Sequence, residues 1–342
     1  MSIFKDVFLS TATVFPIAWL NRVSSIEVLL PYHHVVSDEY LPHIKGLYNY
    51  KNEQQFKDDL DWLLRYRTPV HPDELLYSMV EKKPFPVNTF LLTFDDGFRE
   101  VFELIAPILL KKGVPAIFFI NPSFIDNKEL FYRCKLSLVV EKIKDERNKK
   151  LLSKVADLLS TGRSDFEHIK KTILDIHYPE RGKADALGEC AEISFPEFLQ
   201  SQKPFMSSTQ VKELSGKGFV IGAHSMDHPH FKKLTEEEQL SQTMSSLKAV
   251  NQITGSELYY FSFPHEDRDV KQSFFNHLLL NPSFSKSLLF GVQNQFEERN
   301  NNMVHRFNAE NPSRSVEKMT KGVLFYNYLM KTMQRNTIMR EL

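Results

Sequence analysis

Short apolar runs rich in β-branched and aromatic residues recur along this chain, each closed by polar or turn-forming positions. They predict strands over 28–35, 89–96, 115–121, 219–224, 259–264, 286–292 and 303–309. Between them the apolar positions change to helical spacing. Residues 53–66 repeat Phe56, Leu60, Leu63 and Leu64, and 99–112 repeat Val101, Ile105, Ile108 and Leu109, with Pro107 as a kink. Thr235 followed by Glu236, Glu237 and Glu238 reads as an N-cap with an acidic first turn. Strands alternating with helices imply parallel pairing, and seven of them suggest an incomplete or distorted (β/α)7 barrel. In such barrels the chemistry collects at the C-terminal ends of the strands.

Three stretches stand outside this alternation. Residues 1–25 hold an apolar run from Val7 to Leu20 broken by Ser10, Thr11, Thr13 and Pro16. That is too short and polar for a spanning helix, so it reads as a packed helical segment, with a membrane-surface anchor as the alternative. The barrel proper would cover 26–310. It is interrupted at about 126–205 by a charged, helix-favouring insertion (Leu136 to Leu159, then Phe166 to Ile176) without a metal-ligand cluster or a glycine-rich loop. A helical cover over the barrel mouth that shapes substrate choice and a purely structural elaboration are equally compatible with it. Residues 311–342 read as an amphipathic helix carrying Val316, Met319, Val323, Leu324 and Met330.

Charge narrows the partners. Lys+Arg and Asp+Glu both number 43, so no excess points to nucleic acid or to a polyanion. The two cysteines, Cys134 and Cys190, both lie in the insertion and lack metal-type spacing; nothing in the sequence supports a disulfide between them. Without a cleavage site after a clean apolar core, the chain reads as cytoplasmic, with peripheral membrane contact through the N-terminal segment as the variant.

Two strand ends carry candidate chemistry. Residues 89–97 run from apolar strand formers into Asp95, Asp96 and Gly97. Neighbouring side chains of a strand point to opposite faces, but where strand gives way to loop both carboxylates can turn into one cavity. One can then hold a metal while the other moves protons. Residues 219–230 are a second short strand ending in His224, with His228 four positions on. Each motif alone is weak, since polar residues often close a strand and His-x-x-x-His pairs occur on surfaces by chance. Together they offer one carboxylate and two imidazoles, a donor set suited to zinc with positions left open for water and substrate.

Thr93-Phe94-Asp95-Asp96-Gly97 and His224-Ser225-Met226-Asp227-His228 resemble the first two signatures of the polysaccharide deacetylases, the NodB-homology or family 4 carbohydrate esterases. Val28 to Val35, with Tyr32-His33, is similar to that family's opening strand, and Gly113 to Ile120 to the strand after the Asp-Asp helix. Phe261-Ser262-Phe263-Pro264-His265 resembles its third signature in the branch with Ser before Pro. The resemblance implies that Asp96, His224 and His228 hold a divalent ion, zinc before cobalt, nickel or manganese, with Asp95 as general base and the His265 N–H facing the oxyanion. It further implies an acetylated sugar, in a glycan or glycolipid, as substrate. A histidine on the last strand is the family's usual acid, and His305 is the candidate, although its surroundings match the usual pattern poorly. His33 and Pro264 would line the pocket, Ser225 would orient the histidine loop, and Arg306 would replace the arginine that usually braces the base. His34 reads as a neighbouring packing or surface residue and His230 as an exposed one. The other readings are a hydrolase of non-carbohydrate amides and a catalytically silent sugar-binding domain.

Overall fold

The apolar runs form parallel strands: β1 (Pro31–His33), β2 (Leu92–Phe94), β3 (Ala116–Ile120), β4 (Val220–Ala223), β5 (Tyr259–Ser262), β6 (Ser287–Gly291), β7 (Met303–His305) and β8 (Phe307–Asn308). The computed structural model describes residues 2–24, 26–144, 149–163, 165–298 and 301–341. Sheet order is β7-β6-β5-β4-β3-β2-β1-β8, each neighbouring pair parallel. Its two edges, β7 and β8, are separated only by Arg306, so one run of chain bonds to β6 and then to β1 and closes the sheet into a barrel. Counting that run once, seven strand runs surround the axis. The first and second runs are longer than their barrel strands: Val28–Leu29 and Thr89–Phe90 pair below the barrel with Thr68–Pro69.

Both faces of the sheet are apolar, as parallel strands packed under helices require. Leu30, Leu91, Ile117, Phe119, Tyr260, Leu288, Phe290 and Val304 form one cluster that fills the barrel. The alternate positions Leu92, Phe94, Phe118, Phe261, Leu289 and Met303 join the larger cluster beneath the surrounding helices, with Phe56, Leu60 and Leu63 of helix Glu53–Tyr66. Helix 99–112 opens with a π turn, Val101–Ile105, that runs straight into α-helix Ala106–Lys112, and Pro107, which has no N–H to donate, sits at the junction of the two. Thr235 caps Glu236–Thr254 through a capping box with Glu238.

The insertion has a core of its own. Helices Tyr132–Ile143, Lys149–Leu158, Phe166–Leu174, Lys183–Cys190 and Phe195–Gln202 enclose Leu136, Val139, Val155, Ile169, Ile173 and Leu187. The helix expected from Leu136 to Leu159 is two helices, and residues 145–148 between them lie outside the described residues. Cys134 and Cys190 are both free thiols. At the other end, helices Ser2–Thr13 and Ile17–Ser24 break near Pro16 and pack on Val316–Thr332. Leu9 and Leu20 are buried there, and a Cβ on Gly322 would meet Leu9 Cδ2 at 2.1 Å, so a larger residue would have to displace the end of that leucine. Val7 and Val14 stay exposed. Among the described residues no helix is long and apolar enough to cross a membrane.

Candidate active site

Alternation along the strands decides what reaches the barrel mouth. Counting upward from the interior residues gives Leu30-Tyr32-His34, Leu91-Thr93-Asp95, Tyr260-Ser262 and Val304-Arg306 on the inner face. A cavity of about 330 Å³ opens above them, walled by Tyr32, His34, Tyr48, Asp95, His224 and His228 among others. After β2 the chain turns through two left-handed residues, Asp96 at φ +72° and Gly97 at φ +71°. That turn swings Asp96 inward beside Asp95 in spite of the strand's alternation. A Cβ on Gly97 would also press on Ile120 at 3.0 Å.

Asp96, His224 and His228 converge, with one ligand atom of each within 4.8 Å of the others. Asp96 Oδ1 lies 3.2 Å from His228 Nε2 and 3.6 Å from His224 Nε2, and this buried oxygen has no hydrogen-bond donor among the described residues. Two ligands held tetrahedrally at about 2.0–2.1 Å from zinc stand ~3.3 Å apart, so the separations suit that ion. His224 Nδ1 donates to the Ser262 carbonyl at 2.8 Å, which leaves the Nε2 lone pair facing Asp96. Burial lowers the His224 pKa to about 4, keeping the ring neutral as a ligand must be. For Asp96, burial opposes ionisation, but the imidazoles of His228, His34 and His224 together outweigh it and the carboxyl sits well below its ordinary range. These residues fit a divalent cation.

Asp95 is held apart from that trio. Arg306 Nη1 and Nη2 donate to its two oxygens at 2.8 and 2.9 Å, and also to Thr93 Oγ1 at 2.9 Å and Ser262 Oγ at 2.5 Å. Burial alone would raise the Asp95 pKa; the guanidinium outweighs it and holds the carboxyl below the usual range. Ser262, standing where the usual arginine is missing, accepts a bond from the arginine that replaces it. Ser225 Oγ accepts from the His228 N–H at 3.0 Å, fixing the histidine loop, and does not wall the cavity itself.

A family model described as polysaccharide deacetylase matches residues 82–157 and 189–273, which include both carboxylates, both histidines and Pro264-His265. Over those residues the chain is similar to the polysaccharide deacetylases. The gap between the matched stretches, 158–188, falls inside the insertion. Three solved structures share the fold. The Streptococcus pyogenes deacetylase PplD, in complex with acetate, is 12% identical with a TM-score of 0.56, over 87% of this chain and 98% of that one. IcaB from Ammonifex degensii is 15% identical with a TM-score of 0.52, over 87% and 97%. A de-N-acetylase from Aggregatibacter actinomycetemcomitans is 13% identical with a TM-score of 0.54, over 86% and 100%. No curated protein matches the chain.

Three expectations about the site fail on strand parity. His33 points outward, stacked on Phe94 and edge-on to Phe56, and burial pushes its pKa well down. Its neighbour His34 lines the cavity instead. His34 Nδ1 lies 2.9–3.0 Å from both Glu310 oxygens; burial disfavours its charge, but Glu310 overrides this and raises the pKa to about 9. His305 likewise faces away, on the same side of its strand as Met303, while Arg306 faces in. Its Nε2 meets Glu298 at 2.8 Å, and Asp267 completes a second group of metal-ligand type. Arg340 fills that group, donating at 2.6 Å to Asp267 and to both oxygens of Glu298, with its side chain only 1% exposed. Pro264 is the third: its neighbours Phe263 and His265 wall the cavity and it does not.

The His265 N–H has no acceptor among the described residues, as an oxyanion donor requires. Its ring stacks on His230 at 3.4 Å between centroids, so His230 is half-buried where an exposed position was expected. Sequence reasoning also passed over two supports. Asn121, the next inner position above β3, donates to the Ser225 carbonyl at 3.2 Å, and the Tyr48 hydroxyl donates to Asp96 Oδ2 at 2.8 Å. Tyr48 belongs to a segment without motif and Asn121 closes an apolar strand without one of its own, so their roles are visible only once the barrel has closed.

Proposed function

We propose that this chain is a metal-dependent deacetylase that removes acetyl from an N-acetylated sugar of a glycan or glycolipid. One observation carries the reading: a convergent Asp96, His224 and His228 share one cavity with a separately braced Asp95 and a carboxylate-paired His34. The division of labour follows from those partners. A divalent ion, when held by Asp96, His224 and His228, polarises a carbonyl and makes a nearby water more acidic. Asp95, ionised by Arg306 and with lone pairs left over, accepts the proton of the attacking water. The His265 N–H points its dipole at the developing oxyanion.

A leaving amine must take up a proton, and His34 is the group placed to donate it. Glu310 holds its Nδ1, leaving Nε2 for the substrate, and keeps the ring charged at neutral pH. A cation at Asp96 lowers that pKa toward neutrality by repulsion, which improves His34 as an acid. The same proposal extends to this chain the activity for which the Aggregatibacter de-N-acetylase is named.

The test is acetate release by the zinc-loaded protein from neutral N-acetylhexosamine oligomers, a lipid-linked N-acetyl sugar and an O-acetyl sugar. Release from an N-acetyl sugar, lost in Asp95→Asn, supports the reading. Hydrolysis confined to small non-sugar amides overturns the substrate class, and saturable sugar binding without acetate overturns the enzyme.

A further inference from the structure

The two parts of the site that do different work, the ligand carboxylate and the proton donor, are joined by one side chain. The Tyr48 hydroxyl donates to Asp96 Oδ2 at 2.8 Å, and its ring lies flat on the His34 imidazole with centroids 3.8 Å apart and planes 7° from parallel. With Oδ2 engaged, Asp96 offers only Oδ1 to the two imidazoles. A carboxylate so tied binds through a single oxygen, leaving one more coordination position for water or carbonyl.

Tyr48 sits on a loop with little core of its own. It follows the short helix Pro42–Lys45, which packs on helix Tyr132–Ile143 of the insertion. Ser137 Oγ donates to the Pro42 carbonyl at 2.7 Å and accepts from the Gly46 N–H at 3.0 Å, clasping the turn two residues before Tyr48. The insertion also grips the other ligand loop. The Phe131 ring lies 4.7 Å from that of His228, and the Tyr178 hydroxyl donates to Asp227, next to His228 in the chain.

We infer that Tyr48 is a positioning residue that holds Asp96 to one-oxygen ligation and seats His34, and that the inserted helices keep it and the His228 loop in place. This rests on the metal and proton-donor roles proposed above. It gives the insertion a task at the site without any contact to substrate. Sequence alone left that segment open between substrate selection and bare elaboration.

The experiment is calorimetric titration of the apoprotein with zinc for wild type, Tyr48→Phe, Tyr48→Ala and Ser137→Ala. Each is also assayed for acetate release from an N-acetylhexosamine oligomer and for hydrolysis of an aryl acetate, whose leaving group needs no acid. Tyr48→Phe removes the hydroxyl and keeps the ring: zinc affinity should fall about 10–100-fold while the amide-to-ester rate ratio stays at the wild-type value. Tyr48→Ala should show that loss and in addition a fall in the ratio, because His34 loses its seat. Ser137→Ala, which leaves the Tyr48 side chain intact, should weaken zinc binding several-fold. Zinc affinity in a folded Tyr48→Phe within twofold of wild type would overturn the inference while leaving the metal reading intact. If wild type itself bound no zinc, the metal reading would fall first and this inference with it.

Discussion

Arg306→Met removes the guanidinium paired with Asp95 and leaves a side chain of similar reach against Tyr32 and Phe119, whose rings Arg306 now faces at 4.8 and 5.3 Å. The side chains of Arg306 and Asp95 are 0% and 3% exposed, so solvent screens little of the interaction. Breaking such a buried pair from one side costs about 3–5 kcal/mol, because the remaining carboxylate stays buried without compensation. That is a large part of the ~5–15 kcal/mol by which domains are stable. The pH dependence follows by sign. In wild type Asp95 has a folded pKa below its unfolded value, so its contribution is present above about pH 4 and is lost as pH falls through the folded pKa. In Arg306→Met burial loses its largest counterweight, with only His224 and His34 still favouring the carboxylate, and the folded pKa is expected to rise above the unfolded one. The variant is then penalised at neutral pH and relieved as pH falls through the raised value. The stability gap between wild type and variant should therefore narrow between about pH 7.5 and pH 5. Urea denaturation at both pH values, in chelator so that metal binding does not enter, measures it. Activity should drop by ~10²-fold or more at neutral pH, with a partial return at higher pH as Asp95 ionises. A gap below about 1 kcal/mol, or one unchanged with pH, would refute the reasoning.

Asp96→Asn and His228→Ala should abolish tight zinc binding by calorimetry, whereas Asp95→Asn should keep it and lose about 10²-fold or more in rate; equal metal loss at Asp95 and Asp96 would dismiss the separation of roles. His34→Gln should lower hydrolysis of an N-acetyl sugar far more than that of an aryl acetate, and His305→Ala should leave that ratio unchanged, since its partners are Glu298 and Asp267. Arg340→Met strips the cation from two buried carboxylates and should lower stability by about 3–5 kcal/mol, read from the urea midpoint, with zinc affinity retained.

Local pattern was enough for the barrel. The strand runs, the capping residues of Glu236–Thr254 and the ligand-rich ends of β2 and β4 are all properties of consecutive residues, and each lies in the structure where its spacing put it. Parity was another matter. In a half-exposed strand polar residues mark the outer face, but β1 and β7 are buried on both sides, so Tyr32-His33-His34 and His305-Arg306 carry no sign of which member faces in. Only closure of the sheet, with Val304 and Leu30 inside, sends His34 and Arg306 to the cavity and His33 and His305 away from it. Pairings such as Arg306 with Asp95, Glu310 with His34 and Tyr48 with Asp96 join residues 211, 276 and 48 positions apart. Nothing in the neighbourhood of either partner specifies the other. Those contacts exist because the barrel brings the first strand beside the last and because the inserted helices press the Tyr48 loop onto its mouth, which is a matter of packing that no stretch of sequence holds by itself.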